Sequence, residues 1–330
     1  MGIFKGLSFV FGQGVQLRNY LYDENYIKTS RLPVKVISVG NISVGGTGKT
    51  SFVIWLLRAL VARGYKVGVV SRGYGGSVKS VARVPVDGDP KIFGDEPSLI
   101  ARENLGPVFV GPKRFEVGER LLNEFKVDFI IADDAFQHRR LARDIDVVLV
   151  DFSEPPQNLS LMPYGRLRED FKSLRRANVI VSTKRSFSKR TDFGFIENQI
   201  PDGKIRLNME YHLKSIVDEM GQPTGSPMDR YLLVSGVAQP QGVEILANSK
   251  CNITDHVIFD DHHSFTENDV SDILAQQSEL GANLILTTQK DAVKLFQFPQ
   301  LKSVLRVMEL DYKVEGPLDE FFEVIARKAL

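Results

Sequence analysis

The sequence predicts an α/β fold, a mostly parallel sheet flanked by helices, with a smaller C-terminal α/β domain behind a hairpin linker. Three observations carry this prediction. From Lys35 to about Lys184, short β-branched runs alternate with helix-length amphipathic runs, the pattern of crossover connections. The apolar run Val36–Val39 leads into a glycine-rich turn that ends in Gly48-Lys49-Thr50, and the amphipathic run Phe52–Leu60 follows it. Polar, extended chain around Gly221–Gly225 then separates this region from a second series of strand and helix signals. A strand, a glycine loop and a helix in that order form a phosphate cradle, so the larger domain is expected to be P-loop NTPase-like.

Strands of the larger domain are expected at Val36–Val39, Lys66–Ser71, Val108–Val110, Val127–Ala132, Ile145–Val150 and Asn178–Ser182, with a helix over Lys113–Phe125. In the second series, Tyr231–Ser235, His256–Asp260, Leu284–Thr287 and Val304–Leu310 read as strands. Helices are expected near Gly242–Asn248, Glu267–Leu280 and Leu318–Leu330. The expected organisation is therefore an N-terminal amphipathic segment over 1–27, a core domain over 28–205, a hairpin linker or hinge over 206–230 and a C-terminal domain over 231–330. Ligands of such sheets bind at the carboxyl ends of the strands.

Of the 330 residues, 43% are hydrophobic and 25% charged, an ordinary soluble composition long enough for two domains. The net charge of +1 gives no global attraction to polyanions, so nucleic acid is not an expected partner, and nothing implies an obligate protein partner. One cysteine, Cys251, excludes an internal disulfide and fits a reducing cytoplasm; it is most simply a packing residue. No stretch approaches the roughly 18 to 20 apolar residues of a spanning helix. At the N-terminus Ile3, Phe4, Leu7, Val10, Phe11, Leu17 and Leu21 recur at near-helical spacing, with Lys5 and Arg18 adding positive charge. A helix in a membrane interface and a helix docked on the protein's own core both fit this stripe. A secretory signal fits poorly, because Gly12-Gln13-Gly14 breaks the apolar run.

The glycine loop is a variant. The pattern G-x-x-x-x-G-K-[ST] needs glycine where Ser43 stands, and the deviant ATPase version needs lysine where Val44 stands. Residues Val44, Gly45, Gly46, Thr47, Gly48, Lys49, Thr50 and Ser51 are the expected nucleotide contacts, with Lys49 on the terminal phosphates and Thr50 on Mg2+. Val127–Ala132 ends in Asp133-Asp134, either a strand-end metal pair or a helix-capping pair. Asp151, at another strand end, carries a weaker form of the same suspicion. In Gly94-Asp95-Glu96-Pro97, Asp95 is a helix cap or a catalytic base. Asp260-Asp261-His262-His263 follows a strand, and one imidazole beside a carboxylate fits it better than two histidine ligands, whose side chains alternate. The clusters Arg139-Arg140 with Arg143, and Arg166, Arg168, Lys172, Arg175 and Arg176, are solvated faces or phosphate clamps.

Taken together, Gly40–Thr50, Ser71–Tyr74, Gly94–Pro97, Asp133–His138, Leu161–Glu169, Asp261-His262 and Thr287–Asp291 resemble the tetraacyldisaccharide 4'-kinase family, in order and over nearly the whole chain. The resemblance implies transfer of the γ-phosphate of ATP to the 4'-hydroxyl of tetraacyldisaccharide 1-phosphate, forming lipid IVA in lipid A biosynthesis. It implies a peripheral enzyme at the cytoplasmic face of the inner membrane of a Gram-negative bacterium, with the N-terminal helix against lipid. Carried over motif by motif, Lys49 and Thr50 handle ATP phosphates and Mg2+, Glu96 joins Asp133 and Asp134 in the metal site, and Asp95 is the base, partnered by His262. Arg72, Tyr74 and Arg168 fall on motifs that line the substrate site, and His263 is support. Ala135 stands where glycine is frequent, and Ser186–Asp202 matches no motif. The main alternative is a membrane-associated P-loop ATPase switch that yields no phosphorylated lipid; a soluble metabolite kinase is a third. A GTPase is disfavoured, since no Asn-Lys-x-Asp motif occurs.

Overall fold

The computed structural model describes residues 2–188, 193–226, 228–237, 239–261 and 263–327. Among them, 2–183, 193–209 and 315–327 form one compact unit, and 184–188 with 210–314 a second.

In the first unit the chain passes through α1 (Gly2–Asp23), β1 (Lys35–Asn41), α2 (Lys49–Val61), β2 (Val67–Ser71), β3 (Ala82–Val84), α3 (Pro90–Phe93) and α4 (Asp95–Arg102). It continues through β4 (Val108–Val110), α5 (Arg114–Glu124), β5 (Phe129–Asp133), β6 (Ile145–Asp151), β7 (Val179–Thr183), α6 (Gly194–Glu197) and the start of β8 (Ile205–Val217). The strand order is β8-β7-β6-β1-β5-β2-β4-β3. Every pairing is parallel except β3 with β4. Strands β2, β5, β6 and β7 are buried along their whole length, which is why their sequences are continuous apolar runs rather than alternating ones. Helix α2 buries Phe52, Val53, Leu56, Leu57 and Leu60, an i, i+4 stripe that docks it on the sheet.

The second unit adds β9 (Arg230–Ser235), α7 (Pro240–Asn248), β10 (Asn252–Ile258), α8 (Glu267–Glu279), β11 (Leu284–Thr288), α9 (Gln289–Leu295) and β12 (Leu305–Glu315). Its strand order is β10-β9-β11-β12-β8, parallel from β10 to β12. Alternation along β9 supplies both faces. Leu232 and Val234 pack with Val270 and Ile273 of α8, while Tyr231 and Leu233 pack with Val243 and Leu246 of α7.

Two expectations need correction. Residues 206–217 are not a linker but most of β8, a long half-buried strand, and the chain turns back only at Gly221 to bridge Val217 with Pro223. The polar alternation that suggested a hairpin is that of a strand with one covered face. The last helix, α10 (Leu318–Arg327), belongs to the first unit rather than to a 231–330 domain. Its buried Phe321 stacks on Trp55 of α2 with centroids 6.1 Å apart, and Lys35 Nζ donates to the carbonyls of Ile325 and Ala326 at 2.9 and 2.8 Å. A cation on the last carbonyls complements the helix dipole. Short β3 gave no sequence signal because, unlike the equally short β4 with its apolar Val-Phe-Val run, it reads Ala-Arg-Val and is only partly buried.

Helix α1 is held on the first unit by polar contacts. It rests on its small and polar residues. Ser8 Oγ donates to Leu161 O at 2.7 Å, and a Cβ on Gly12 would stand 2.8 Å from Leu161 Cδ1. Arg18 and Asn19 bond the buried Glu169 at 3.1 and 2.8 Å. Ile3, Phe4, Leu7, Phe9, Val10 and Leu17 are all exposed. Among the described residues no helix is long and apolar enough to cross a membrane.

The Trp55–Phe321 contact gives a direct test. Phe321→Ala leaves a cavity between α2 and α10 and is expected to destabilise the protein by about 3–5 kcal/mol, read as a lower urea midpoint with altered Trp55 fluorescence. An unchanged midpoint would mean that α10 adds nothing to the first unit.

Candidate active site

The site grows from the carboxyl ends of adjacent strands. Strands β1 and β5 pair in parallel with Val39 opposite Asp133, and β2 pairs on the other side of β5. The loop after β1, the acid pair after β5 and the Ser71-Arg72 turn after β2 therefore leave the sheet side by side.

The loop is braced from three directions. Buried Asn41 donates from Nδ2 to Thr47 Oγ1 at 2.8 Å, closing the loop on itself. Thr183 Oγ1, at the end of β7, donates to Thr47 O at 3.1 Å, and Gln137 Nε2 donates to Asn41 O at 2.8 Å. The third brace explains the unusual sequence. Ser43 bridges Leu167, Val44 N donates to Arg166 O at 2.8 Å and Arg168 N donates to Ile42 O at 2.7 Å. Ser43 and Val44 thus serve as a strand edge, where β-branched and small polar residues fit better than the glycine or lysine of the commoner loops. Gly48, at φ 89°, occupies the cap position of α2 in the left-handed region, and no side chain caps that helix, so its first N–H groups stay directed at the loop. Gly45 also has positive φ, at 108°, whereas Gly46 does not.

Opposite the loop, Lys49 Nζ lies 3.5 Å from Asp134 Oδ1, and Arg168 Nη1 donates to both Asp134 oxygens at 3.2 Å. Buried Arg114, at the start of α5, donates to the carbonyls of Asp133 and Asp134 at 2.9 and 2.8 Å. The acid pair is no helix cap. Asp134 has φ 44°, so the left-handed residue of this turn is Asp134 itself, and Ala135 in the next position is simply buried with its N–H on Val39 O. Asp133 is buried and accepts from Ser71 Oγ at 3.0 Å through Oδ2, while Oδ1 is buried with no hydrogen-bond partner among the described residues. Burial, and next the charge of Asp134, push the Asp133 carboxyl up to about 6 despite Lys49. For Asp134, burial pushes upward too, but Lys49 and Arg168 outweigh it and hold the group below the usual carboxylate range. His138 is pushed down to about 4 by burial and by Arg114, Arg143, Arg140 and Arg72, so it is neutral at pH 7.

Asp95 opens α4 but does not cap it. Gly94 is the cap residue, and no side chain bonds the helix end. A Cβ on Gly94 would stand 2.6 Å from Tyr74 O, so the turn before Asp95 packs directly on the Arg72–Tyr74 turn. Among the described residues, the side chains of Asp95, Glu96, Arg72 and Tyr74 make no hydrogen bond or ion pair, and Asp95, Arg72 and Tyr74 are exposed. No three His, Cys, Asp or Glu side chains gather as a metal cluster among the described residues. His262 lies outside the described residues. In the second unit Asp261 pairs with Lys290 at 2.6 Å, and His263 Nε2 lies 3.1 Å from Asp269 Oδ2.

Much of the basic sequence is structural. Arg139 holds α1 through Asn19 O and Asp23, Arg143 pairs with Asp146, and Arg176 with Glu169. Asn41, Ser71, Arg114, Gln137 and Thr183 were not singled out from the sequence as site residues. Asn41, Ser71 and Gln137 lay within motifs, and nothing in the local sequence around Arg114 marks its reach to β5.

A parallel sheet with this loop and this acid pair defines an α/β protein of the P-loop NTPase-like class. Within that class the chain belongs to the LpxK family, described as tetraacyldisaccharide-1-P 4'-kinase, whose pattern matches residues 3–328. It is 33% identical over 332 residues to the tetraacyldisaccharide 4'-kinase of Bdellovibrio bacteriovorus, covering 97% of each chain. To that of Syntrophus aciditrophicus it is 35% identical over 330 residues, covering 93% of this chain and 88% of the relative. Among solved structures, LpxK from Aquifex aeolicus in complex with ATP matches with a TM-score of 0.71 and 27% identity over 98% of both chains.

The raised Asp133 sets a pH dependence. Its folded pKa of about 6 lies above the model-compound value of 3.8, so the folded state keeps a proton that the unfolded state has lost. Stability of the ligand-free protein should therefore fall as pH rises from about 4 to about 6, by roughly 3 kcal/mol from this group. Asp133→Asn should lack that loss and gain on the parent between pH 4 and pH 7.5 in urea titrations; a difference independent of pH would mean that Asp133 titrates normally.

Proposed function

We propose that this protein transfers the γ-phosphate of ATP to the 4'-hydroxyl of tetraacyldisaccharide 1-phosphate, giving lipid IVA. The observation that carries the reading is the braced glycine loop facing Lys49, Asp134 and Arg168 in a chain that belongs to this kinase family. In-line phosphoryl transfer asks the protein for positioning and charge compensation, with little covalent chemistry of its own. The loop amides and Lys49 hold the phosphates, contacted by Val44 to Ser51. Asp95 receives the acceptor proton, and His262 orients it and tunes its proton affinity. Its carboxylate is available for that task, since it is not consumed in capping α4. Arg72, Tyr74 and Arg168 line the acceptor site.

Mg2+ fits the residues present. The unpartnered buried Oδ1 of Asp133 and its raised pKa are what a carboxylate awaiting a cation displays. Thr50, Asp133 and Asp134, with Glu96 by resemblance, would hold it; a Mg2+ bound through one or two carboxylates and the phosphates needs no larger acid cluster. When bound it supplies positive charge to the phosphate oxygens in transfer.

Helix α1 supports a peripheral place at the cytoplasmic face of the inner membrane of a Gram-negative cell. Its outward apolar residues, with Lys5 beside them, suit an interfacial helix. Phe4→Ser with Leu7→Ser changes only exposed positions. The double variant should stay in solution when the parent floats with anionic vesicles; equal flotation would remove α1 from the membrane contact.

The catalytic reading is tested with γ-labelled ATP, Mg2+ and tetraacyldisaccharide 1-phosphate in detergent micelles. Label should enter the lipid, and Asp95→Ala and His262→Ala should lower kcat by orders of magnitude while ATP affinity changes little. Phosphate release without labelled lipid would support the ATPase switch instead, and loss of ATP binding in Asp95→Ala would move Asp95 to the metal or the fold.

A further inference from the structure

The segment that braces the loop also carries an uncommitted cation. Residues 166–168 run antiparallel to 42–44, held by the Ser43–Leu167 bridge and by backbone bonds from Val44 N to Arg166 O and from Arg168 N to Ile42 O. In extended chain, side chains alternate between faces. Leu167 accordingly points into the core, 3% exposed, and leaves Arg166 and Arg168 on the opposite side beside the loop. The two arginines differ in commitment. Arg168 is engaged by both oxygens of Asp134. Arg166 has one ion pair, with Glu154 Oε2 at 3.5 Å, longer than the 2.7–2.9 Å of a well-formed charge-assisted bond.

Glu154 does not depend on that pair. Its side chain is 5% exposed, and its other oxygen accepts from Asn158 Nδ2 at 2.6 Å, so it keeps a partner if the guanidinium leaves. The guanidinium, one-third exposed, already lies against the loop: a Cβ on Gly45 would stand 2.5 Å from Nη2. Gly45 and Gly46 are exposed, so this is the open part of the loop. The absence of a side chain at Gly45 is what lets the planar cation approach. Guanidinium is also the group best matched to phosphate oxygens.

We propose that Arg166 is a second cationic arm of the phosphate loop, parked on Glu154 in the free protein and transferred to the terminal phosphate when a nucleoside triphosphate binds. This rests on the phosphate-loop reading given above. Arg166 then discriminates triphosphate from diphosphate, because a diphosphate lacks the γ-phosphate whose oxygens it takes. Glu154 tunes affinity by competing for the same cation.

The test is calorimetric binding of Mg2+ with a non-hydrolysable ATP analogue, and of ADP, to the full-length protein and to Arg166→Ala, Arg166→Lys, Glu154→Gln and Lys49→Ala. Arg166→Ala should weaken the triphosphate analogue by about tenfold to a hundredfold, the worth of a charge-assisted hydrogen bond, and leave ADP nearly unchanged. Arg166→Lys should recover part of the loss. Glu154→Gln should tighten the triphosphate several-fold by releasing the arm, which keeps the test decisive even if Arg166→Ala folds poorly. Equal weakening of both nucleotides, no weakening, or no gain in Glu154→Gln would each overturn the proposal. If Lys49→Ala also binds both nucleotides like the parent, the phosphate-loop reading itself fails; if Lys49→Ala loses both while the Arg166 and Glu154 variants bind like the parent, only the role of Arg166 falls.

Discussion

Because β1 and β5 are hydrogen-bonded in parallel with Val39 opposite Asp133, the glycine loop and the aspartate pair leave the sheet at the same level. Nearly every other contact of the site follows from that register. Ser71 reaches Asp133 because β2 pairs with the far side of β5, and Arg114 closes the back of the acid pair through its carbonyls. Thr183 reaches Thr47 from β7, two strands away through β6. Slipping one strand by a residue would turn Asp133 to the opposite face and separate it from the loop.

The electrostatics of this edge are left unbalanced. Lys49 and Arg168 both go to Asp134, while Asp133 sits buried beside that charge with one oxygen unpaired among the described residues. An unpaired buried carboxylate opposes folding, and such a cost is tolerated where a cation is to be received. Burial, and next the arginines around it, keep the His138 imidazole neutral, and those arginines make the neighbourhood positive. On the kinase reading proposed above, such a region would receive anionic phosphates and a divalent ion together.

Helix α1 reverses the usual amphipathic arrangement. A helix docked on a protein normally buries its apolar stripe. Here the polar contacts are made by Ser8, Arg18 and Asn19 and the close approach by Gly12, and Ile3, Phe4, Leu7, Phe9, Val10 and Leu17 are exposed, while Phe11 and Leu21 are half-buried. Gly12, which breaks the apolar run of the sequence, is the residue that lets α1 lie close on Leu161. Burial of Glu169 is acceptable because Arg18, Asn19 and Arg176 satisfy it.

The sequence by itself determined what depends on short-range pattern. Buried parallel strands such as β5 and β6 are unbroken apolar runs, and a glycine loop between β1 and α2 is visible wherever strand and helix periods meet at Gly48-Lys49-Thr50. The aspartates at the end of β5 were legible for the same reason. What only the tertiary structure decided depends on partners distant in the chain: Arg114 behind the acid pair, Thr183 under the loop, Arg166 against Gly45, and α10 on Trp55 rather than in the second unit. The direction in which α1 turns its apolar residues belongs here too, since one period describes a stripe that faces a core and a stripe that faces away. Local sequence sets backbone preference and periodicity, but which surface a stripe meets, and which carboxylate is left without a partner, is set by the order of strands in the sheet.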